Sequence, residues 1–168
     1  MASALHLARR FAGSLSPLPL RAADDAWARA QLLPGEQALW ARMSRADRKH
    51  SAGVARLVAD RLGARATRPV LAAALLHDVG KVESGLGTFG RVLATLLGRR
   101  RTHGWGDESG LRGRIGRYLH HDEAGARLLE EAGADPLTSA WAREHHRVEG
   151  SWTIPVEVGR ILRDADDD

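Results

Sequence analysis

A histidine followed directly by an aspartate, His77-Asp78, stands at the end of an apolar segment, and a glycine and Lys81 come soon after it. Polar and charged side chains are rarely buried unless they are paired or bind a metal. Imidazole and carboxylate together suit a divalent first-row ion such as Mn, Fe, Co, Ni or Zn. The pair alone fits equally well a histidine at a helix C-terminus beside a solvated aspartate, so the other histidines must decide.

Six of the eight histidines are expected at helix ends or on inward helix faces: His50, His77, His120, His121, His145 and His146. They come from four separate helical segments, and aspartates follow on a fifth. Several inward histidines on different helices would leave many costly polar atoms unless they converge on a common partner. We therefore predict that one or two divalent metal ions are the cofactor, without distinguishing which metal.

The composition is that of one domain of ordinary size. The chain has 168 residues, of which 43% are hydrophobic and 27% charged, and a core built mainly from Ala, Leu and Val favours helices. There is no cysteine, so disulfides and thiolate ligands are excluded and any metal must be held by His, Asp or Glu. These features favour a cytoplasmic location.

The formal net charge of +4 could attract anionic substrates or nucleic acid. We favour an arginine-rich surface and expect no stable nucleic-acid complex. No run of about 18 apolar residues is present, so no transmembrane segment is predicted. Only Lys49 and Lys81 are lysines among the 25 basic residues, which makes a compact ammonium beside the His-Asp pair a notable choice. The oligomeric state stays open.

Hydrophobic spacing predicts an all-α domain over residues 22–168, preceded by a flexible lead-in over residues 1–21. His50 is expected on the inward face of a helix that begins near Ser44. A buried helix should end near Asp78, where Gly80 lets the backbone turn sharply. Asp122 is expected to cap a later helix. The predicted helices cover about residues 22–33, 36–43, 44–62, 70–78, 86–97, 111–119, 123–132, 136–146 and 155–166.

The order of these residues resembles that of the HD-domain superfamily of metal-dependent phosphohydrolases. The segment Leu76-His77-Asp78-Val79-Gly80-Lys81 resembles its most specific motif, and His121-Asp122-Glu123-Ala124-Gly125-Ala126 is similar to a His-x-Glu-x-Gly-Ala stretch of the HD-GYP-like branch. Glu144-His145-His146 resembles the paired-histidine segment, and the helix that ends at Asp166 looks like the closing one. The resemblance covers about residues 35–166 and implies an HD-type bundle of about six to eight helices around a metal site.

Two departures from the family pattern narrow this expectation. The Gly-Tyr-Pro element that marks cyclic-di-GMP hydrolysis is replaced by Ser151-Trp152-Thr153-Ile154-Pro155, which speaks against that activity. Some relatives hold a third metal with a glutamate four residues before the first histidine. Ala46 stands at that position here, so a three-metal site is not expected.

The resemblance implies a ligand for each metal position. One ion would be held by His50, His77, Asp78 and Asp166, and the other by Asp78, His121 and His145, with Asp78 bridging. Asp166 is preferred to Asp164 because an Ala-Asp pair is the usual form of the family. Adjacent helical residues point about 100° apart, and His145 is preferred to His146 because it lies four residues after Trp141 on the apolar face.

The mechanism implied is attack of metal-bound hydroxide on a small phosphoester, with a nucleotide as the favoured substrate. Asp78 and Lys81 are the expected catalytic residues, since the Lys81 ammonium can offset charge on the phosphoryl group. Lys81, His146 and Arg147 are the expected substrate contacts. Two other functions stay open: a non-catalytic, metal-stabilised signalling or interaction module, and a di-iron oxygenase on the same scaffold.

Overall fold

The computed structural model describes residues 20–98, 102 and 104–168. Nearly all of the predicted lead-in lies outside them, as do residues 99–101 and His103. The described residues form nine α-helices and no strand, which confirms the all-α prediction. Nine is the number of helical segments predicted from the hydrophobic pattern and one more than the upper end of the six to eight that the resemblance implied. The helices are α1 (Ala22–Ala30), α2 (Pro34–Arg42), α3 (Arg45–Leu62), α4 (Arg68–Leu76), α5 (Thr88–Leu97), α6 (Gly110–Leu119), α7 (His121–Glu131), α8 (Pro136–Glu144) and α9 (Val156–Asp167).

Helix α4 is the centre of the core. Every residue from Val70 to Leu76 is buried, because the helix is apolar all round and is covered by α3 on one side and α8 on another. This confirms the prediction of a central buried helix. None of the helices in the described part of the chain combines the length and apolar character that crossing a bilayer requires.

Several predicted helix boundaries differ from the structure, and two of these differences bear directly on the polar side chains described below. Helix α4 ends at Leu76, so His77 is its C-terminal cap and Asp78 follows in a non-helical conformation with φ −97° and ψ 7°. Helix α7 begins at His121, and only His120 separates it from α6. Asp122 therefore lies in the first turn of α7 and does not cap it, because the preceding helix leaves no room for a longer connection.

Gly80 is required for a different reason from the one that the sequence suggested. It is not among the glycines with positive φ. Instead, a Cβ at Gly80 would lie 1.9 Å from the carbonyl oxygen of His121 and 2.6 Å from the amide nitrogen of Gly125. The short 3-10 segment Val79–Glu83 thus packs backbone to backbone against α7, and this contact brings Asp78 close to His121.

The Gly80→Ala substitution should therefore destabilise the chain. Backbone must move to admit the methyl group, and overpacking of this kind costs roughly 1–3 kcal/mol. Gly53→Ala is the matched control, since Gly53 is exposed on α3 and a Cβ there meets nothing within 4 Å. That change should stabilise the chain by roughly 0.5–1 kcal/mol. Urea denaturation measures both, and equal free energies of unfolding for the two variants would contradict the close contact.

Candidate metal centre

Three helix ends and two helix faces deliver the polar side chains of the centre. His77 and His145 are the C-terminal caps of α4 and α8, and His121 is the first residue of α7. His50 comes from the first half of α3 and Asp166 from the last turn of α9. The structure thus brings together residues that are up to 116 positions apart in the sequence.

Three of these histidines share one orienting contact. Each Nδ1 lies within hydrogen-bonding distance of the backbone carbonyl three residues earlier, and because a carbonyl oxygen only accepts, Nδ1 must carry the hydrogen. The pairs are His77 with Ala74 at 2.9 Å, His145 with Ala142 at 2.9 Å, and His121 with Tyr118 at 2.6 Å. Nε2 of each ring is left to face the centre, as in metal-binding histidines whose other nitrogen is hydrogen-bonded.

The first group of donors surrounds Asp166. Its Oδ1 lies 2.7 Å from His50 Nε2 and 3.5 Å from His77 Nε2, and His77 Nε2 lies 3.5 Å from Asp78 Oδ2. Donor atoms of His50, His77 and Asp78 all fall within 4.8 Å of one another. Asp164, the other aspartate considered, is exposed to solvent.

The second group lies on the other side of Asp78. Donor atoms of His121, His145 and His146 fall within 4.8 Å of one another. Asp78 Oδ1 lies 3.0 Å from His121 Nε2 and 3.9 Å from His145 Nε2. The carboxylate of Asp78 therefore offers one oxygen to each group.

The structure places His146 beside this second group, where the sequence argument favoured His145 alone. Its ring centroid is 3.9 Å from that of His145 and 5.3 Å from that of His121. Adjacent residues diverge by about 100° only within a continuous helix. Here α8 ends at Glu144, so both histidines can turn towards one point.

Two buried imidazole nitrogen atoms indicate whether the residues of the centre could hold a metal ion. Within the described residues, Nε2 of His77 and Nε2 of His145 are fully buried and have no hydrogen-bond partner. Buried polar atoms are almost always satisfied, so two such nitrogens aimed at the same carboxylate need an explanation. Imidazole nitrogens and carboxylate oxygens form a suitable donor set for a divalent first-row metal, and the residues fit such an ion.

The charges of the centre are strongly coupled. Burial would raise the pKa of Asp78, but the Lys81 ammonium, His77 and the hydrogen bond from His121 hold that pKa well below its usual value. Burial would lower the pKa of His77, but the carboxylates of Asp78 and Asp166 raise it to about 10. The carboxylate is thus ionised, and a metal that binds His77 must replace a proton.

The pKa of His145 is shifted in the opposite direction to that of His77. Burial, followed by repulsion from the neighbouring imidazoles of His146, His77 and His121, holds the pKa of His145 well below its usual value, although Asp78 opposes this effect. Its ring is therefore neutral near pH 7. A neutral, buried imidazole with its Nδ1 already committed to a carbonyl is the form that binds a metal through Nε2.

Lys81 lies beside the shared carboxylate. Its Nζ forms an ion pair with Asp78 Oδ2, and only 13% of the lysine side chain is exposed. Burial would lower the pKa of Lys81, but Asp78, then Tyr118 and Asp47, raise it. The ammonium therefore stays charged next to both groups of donors.

A cleft of about 370 Å³ lies next to the second group. It is lined by His120, Asp122, Glu123, His146 and Arg147. Arg147 is exposed and donates from Nη2 to Glu123 Oε1 at 3.0 Å, so it belongs to the cleft wall and not to the metal groups. His120 also lies in this wall, whereas His121 is buried against Asp78.

Sequence reasoning missed the part that Tyr118 plays. Its carbonyl oxygen orients His121, and its ring lies 6.2 Å from the His121 ring. A backbone carbonyl leaves no mark on residue type, so the sequence offers no signal for this contact. The nearest available indication is that each accepting carbonyl lies in the last turn of a helix, where carbonyl groups lack a partner within the helix.

Comparison with known proteins gives one family match. A family model described as HD domain matches residues 48–167, which is most of the chain and includes every predicted metal ligand from His50 to Asp166. No curated protein matches the chain significantly, and neither does any solved structure.

Two aspartates on α9 provide a direct test of the first group. Asp166→Asn should lower the affinity for Mn²⁺ by about tenfold or more, because it removes the charge next to His50 and His77. Asp164→Asn, two residues earlier and exposed, should bind Mn²⁺ as the unmodified chain does. Equilibrium dialysis measures both affinities, and circular dichroism checks the fold. Equal affinities for the two variants would remove Asp166 from the ligand set.

Proposed function

Because the chain belongs to the HD-domain family, we propose that it is a metal-dependent phosphohydrolase that acts on a small phosphoester, with a nucleotide as the expected substrate. One observation carries the proposal. The buried Asp78 carboxylate lies between two groups of imidazole donors and forms an ion pair with Lys81. A shared carboxylate between two donor groups suits a pair of metal ions, and an adjacent ammonium suits a phosphoryl group.

The ligands follow from the two groups. The first ion would be held by His50, His77, Asp78 and Asp166, and the second by Asp78, His121, His145 and His146. When bound, divalent ions lower the pKa of coordinated water and polarise a phosphoryl oxygen, which provides a nucleophile near neutral pH.

The residues of the chain supply orientation and charge. The carbonyl contacts to Nδ1 fix the rings of His77, His121 and His145 before any ligand arrives, so little reorganisation is needed. Lys81 keeps its positive charge in a mostly buried position, where an electrostatic interaction with a phosphoryl group is stronger than in water. We assign it the role of offsetting the negative charge that grows on that group.

The cleft beside His146 is the expected entrance for substrate. Its volume of about 370 Å³ is within the range of small-molecule sites. His146 belongs both to the cleft wall and to the second donor group, so a substrate in the cleft reaches the centre directly. Arg147, at the same wall, is the expected second contact for the leaving part of the substrate.

Replacement of Lys81 should separate catalysis from metal binding. Lys81→Met removes the ammonium but no metal donor, so kcat for p-nitrophenyl phosphate with Mn²⁺ should fall by about 10²–10³-fold, as when one transition-state donor is lost. The metal content measured by elemental analysis should not change. Unchanged turnover would mean that Lys81 only balances the charge of Asp78.

Metal stoichiometry should report the two groups separately. After reconstitution with Mn²⁺ and removal of the excess, the unmodified chain should hold about two equivalents and His121→Ala about one, because the alanine variant loses a donor of the second group only. His120→Ala is the matched control at the neighbouring position and should keep both. A single equivalent in the unmodified chain would assign the second group to substrate instead.

A further inference from the structure

Arg91 is a cationic side chain near the proposed reaction centre, and the proposed function assigns no role to it. We propose that Arg91 binds a second anionic group of the substrate, so that the preferred substrate is a phosphoester with two phosphates. This inference rests on the proposed function. It assigns Arg91 as a substrate contact and Asp47 as the residue that positions it.

Arg91 is held in place at one edge of its guanidinium. Its Nη1 donates to both carboxylate oxygens of Asp47, at 2.7 and 2.9 Å, and its Nε donates to the carbonyl oxygen of Leu86 at 3.2 Å. In the part of the chain that the structure describes, Nη2 donates no hydrogen bond. The side chain is 21% exposed, so a ligand can approach this fixed group.

Asp47 is itself firmly oriented. Its amide nitrogen donates to Ser44 Oγ at 3.1 Å, and Ser44 Oγ donates to Asp47 Oδ2 at 2.7 Å, which is the start of α3 that the sequence predicted. Asp47 lies one helical turn before His50 on the same helix. The helix that supplies a predicted metal ligand therefore also fixes the position of Arg91.

The ring of Tyr118 connects this arginine to the centre. Lys81 Nζ and the guanidinium carbon of Arg91 each lie 5.7 Å from the centroid of that ring. The two positive groups are thus no further apart than twice that distance. The same ring lies 6.2 Å from the ring of His121. Arg91, Lys81 and His121 therefore all lie around the ring of Tyr118.

The balance of charge around the ring of Tyr118 favours an anion. Asp47 compensates Arg91, and Asp78 compensates Lys81 in the chain itself. If Asp78 also serves divalent ions, Lys81 loses part of its counter-charge and the surroundings of Tyr118 become more positive. A phosphate at the centre can use Lys81, and a second phosphate can accept from the remaining edge of Arg91 in a charge-assisted hydrogen bond.

A purely structural role would be a bridge between α3 and α5. Such a bridge would affect stability but not the choice between substrates that differ by one phosphate. The ratio of kcat/KM for adenosine 3′,5′-bisphosphate to kcat/KM for adenosine 5′-monophosphate isolates that choice, because overall losses cancel in the ratio.

The test uses the full chain reconstituted with Mn²⁺. In the unmodified chain the ratio should be about ten or more, as one charge-assisted contact provides, and in Arg91→Gln it should fall to about one with little change for the monophosphate. Arg117→Gln is the matched control. Arg117 is also partly buried and, among the described residues, donates to the carbonyl oxygens of Glu83 and Gly106, so its replacement should keep the ratio.

Two further variants distinguish the loss of a substrate contact from misfolding of the chain. Arg91→Lys retains a positive charge and should keep part of the preference, whereas Asp47→Asn leaves the arginine without its carboxylate and should reduce it. A ratio near one in the unmodified chain, or a preference that survives in Arg91→Gln, would overturn the inference.

Failure of the proposed function has a separate signature. If no phosphoester is turned over, dissociation constants of the same two nucleotides can be measured by calorimetry on the metal-loaded chain, since nothing is consumed. A preference for the bisphosphate that disappears in Arg91→Gln would then support the anion site without hydrolysis. Turnover without that preference would support hydrolysis and remove Arg91 from the substrate contacts.

Discussion

The ionised carboxylate of Asp78 is the interaction on which the rest of the centre depends. It is almost fully buried, and away from water a carboxylate stays ionised only with close positive or hydrogen-bonding partners. Lys81 and His121 supply such contacts on opposite oxygens, and His77 lies next to it. Removing any partner would leave a buried charge less compensated, so the surrounding side chains hold one another in place.

The backbone makes this arrangement possible. Asp78 follows His77, the C-terminal cap of the buried helix α4, and the next residues pass so close to α7 that no side chain fits at Gly80. The carboxylate and the start of α7 are therefore fixed relative to each other by main-chain packing. The side chains of the centre are thus carried by rigid elements, and this is the usual requirement for a precisely arranged site.

The helices and most residues of the candidate centre could be predicted from the sequence. Hydrophobic periodicity indicated the helices, and the inward position of His50 followed from its spacing to later apolar residues of α3. The order of His and Asp residues indicated a metal centre and the family. These features depend on local pattern or on short motifs, which a single sequence contains.

Other features depend on distances that no local pattern encodes. The position of His146 followed from the end of α8 at Glu144, and helix ends are the least certain part of any prediction from sequence. The role of Gly80 lay in its contact with a helix more than forty residues later. The Asp47–Arg91 ion pair likewise joins residues 44 positions apart, and the sequence around neither residue indicates this contact.

The carbonyl contacts of the histidines have one more consequence. They place the C-terminal ends of α4, α6 and α8 around the centre, and each such end carries the negative half of a helix dipole. Each such end favours a cation and disfavours an anion. For the proposed hydrolase, this field favours an order of binding in which a metal ion precedes the phosphoester.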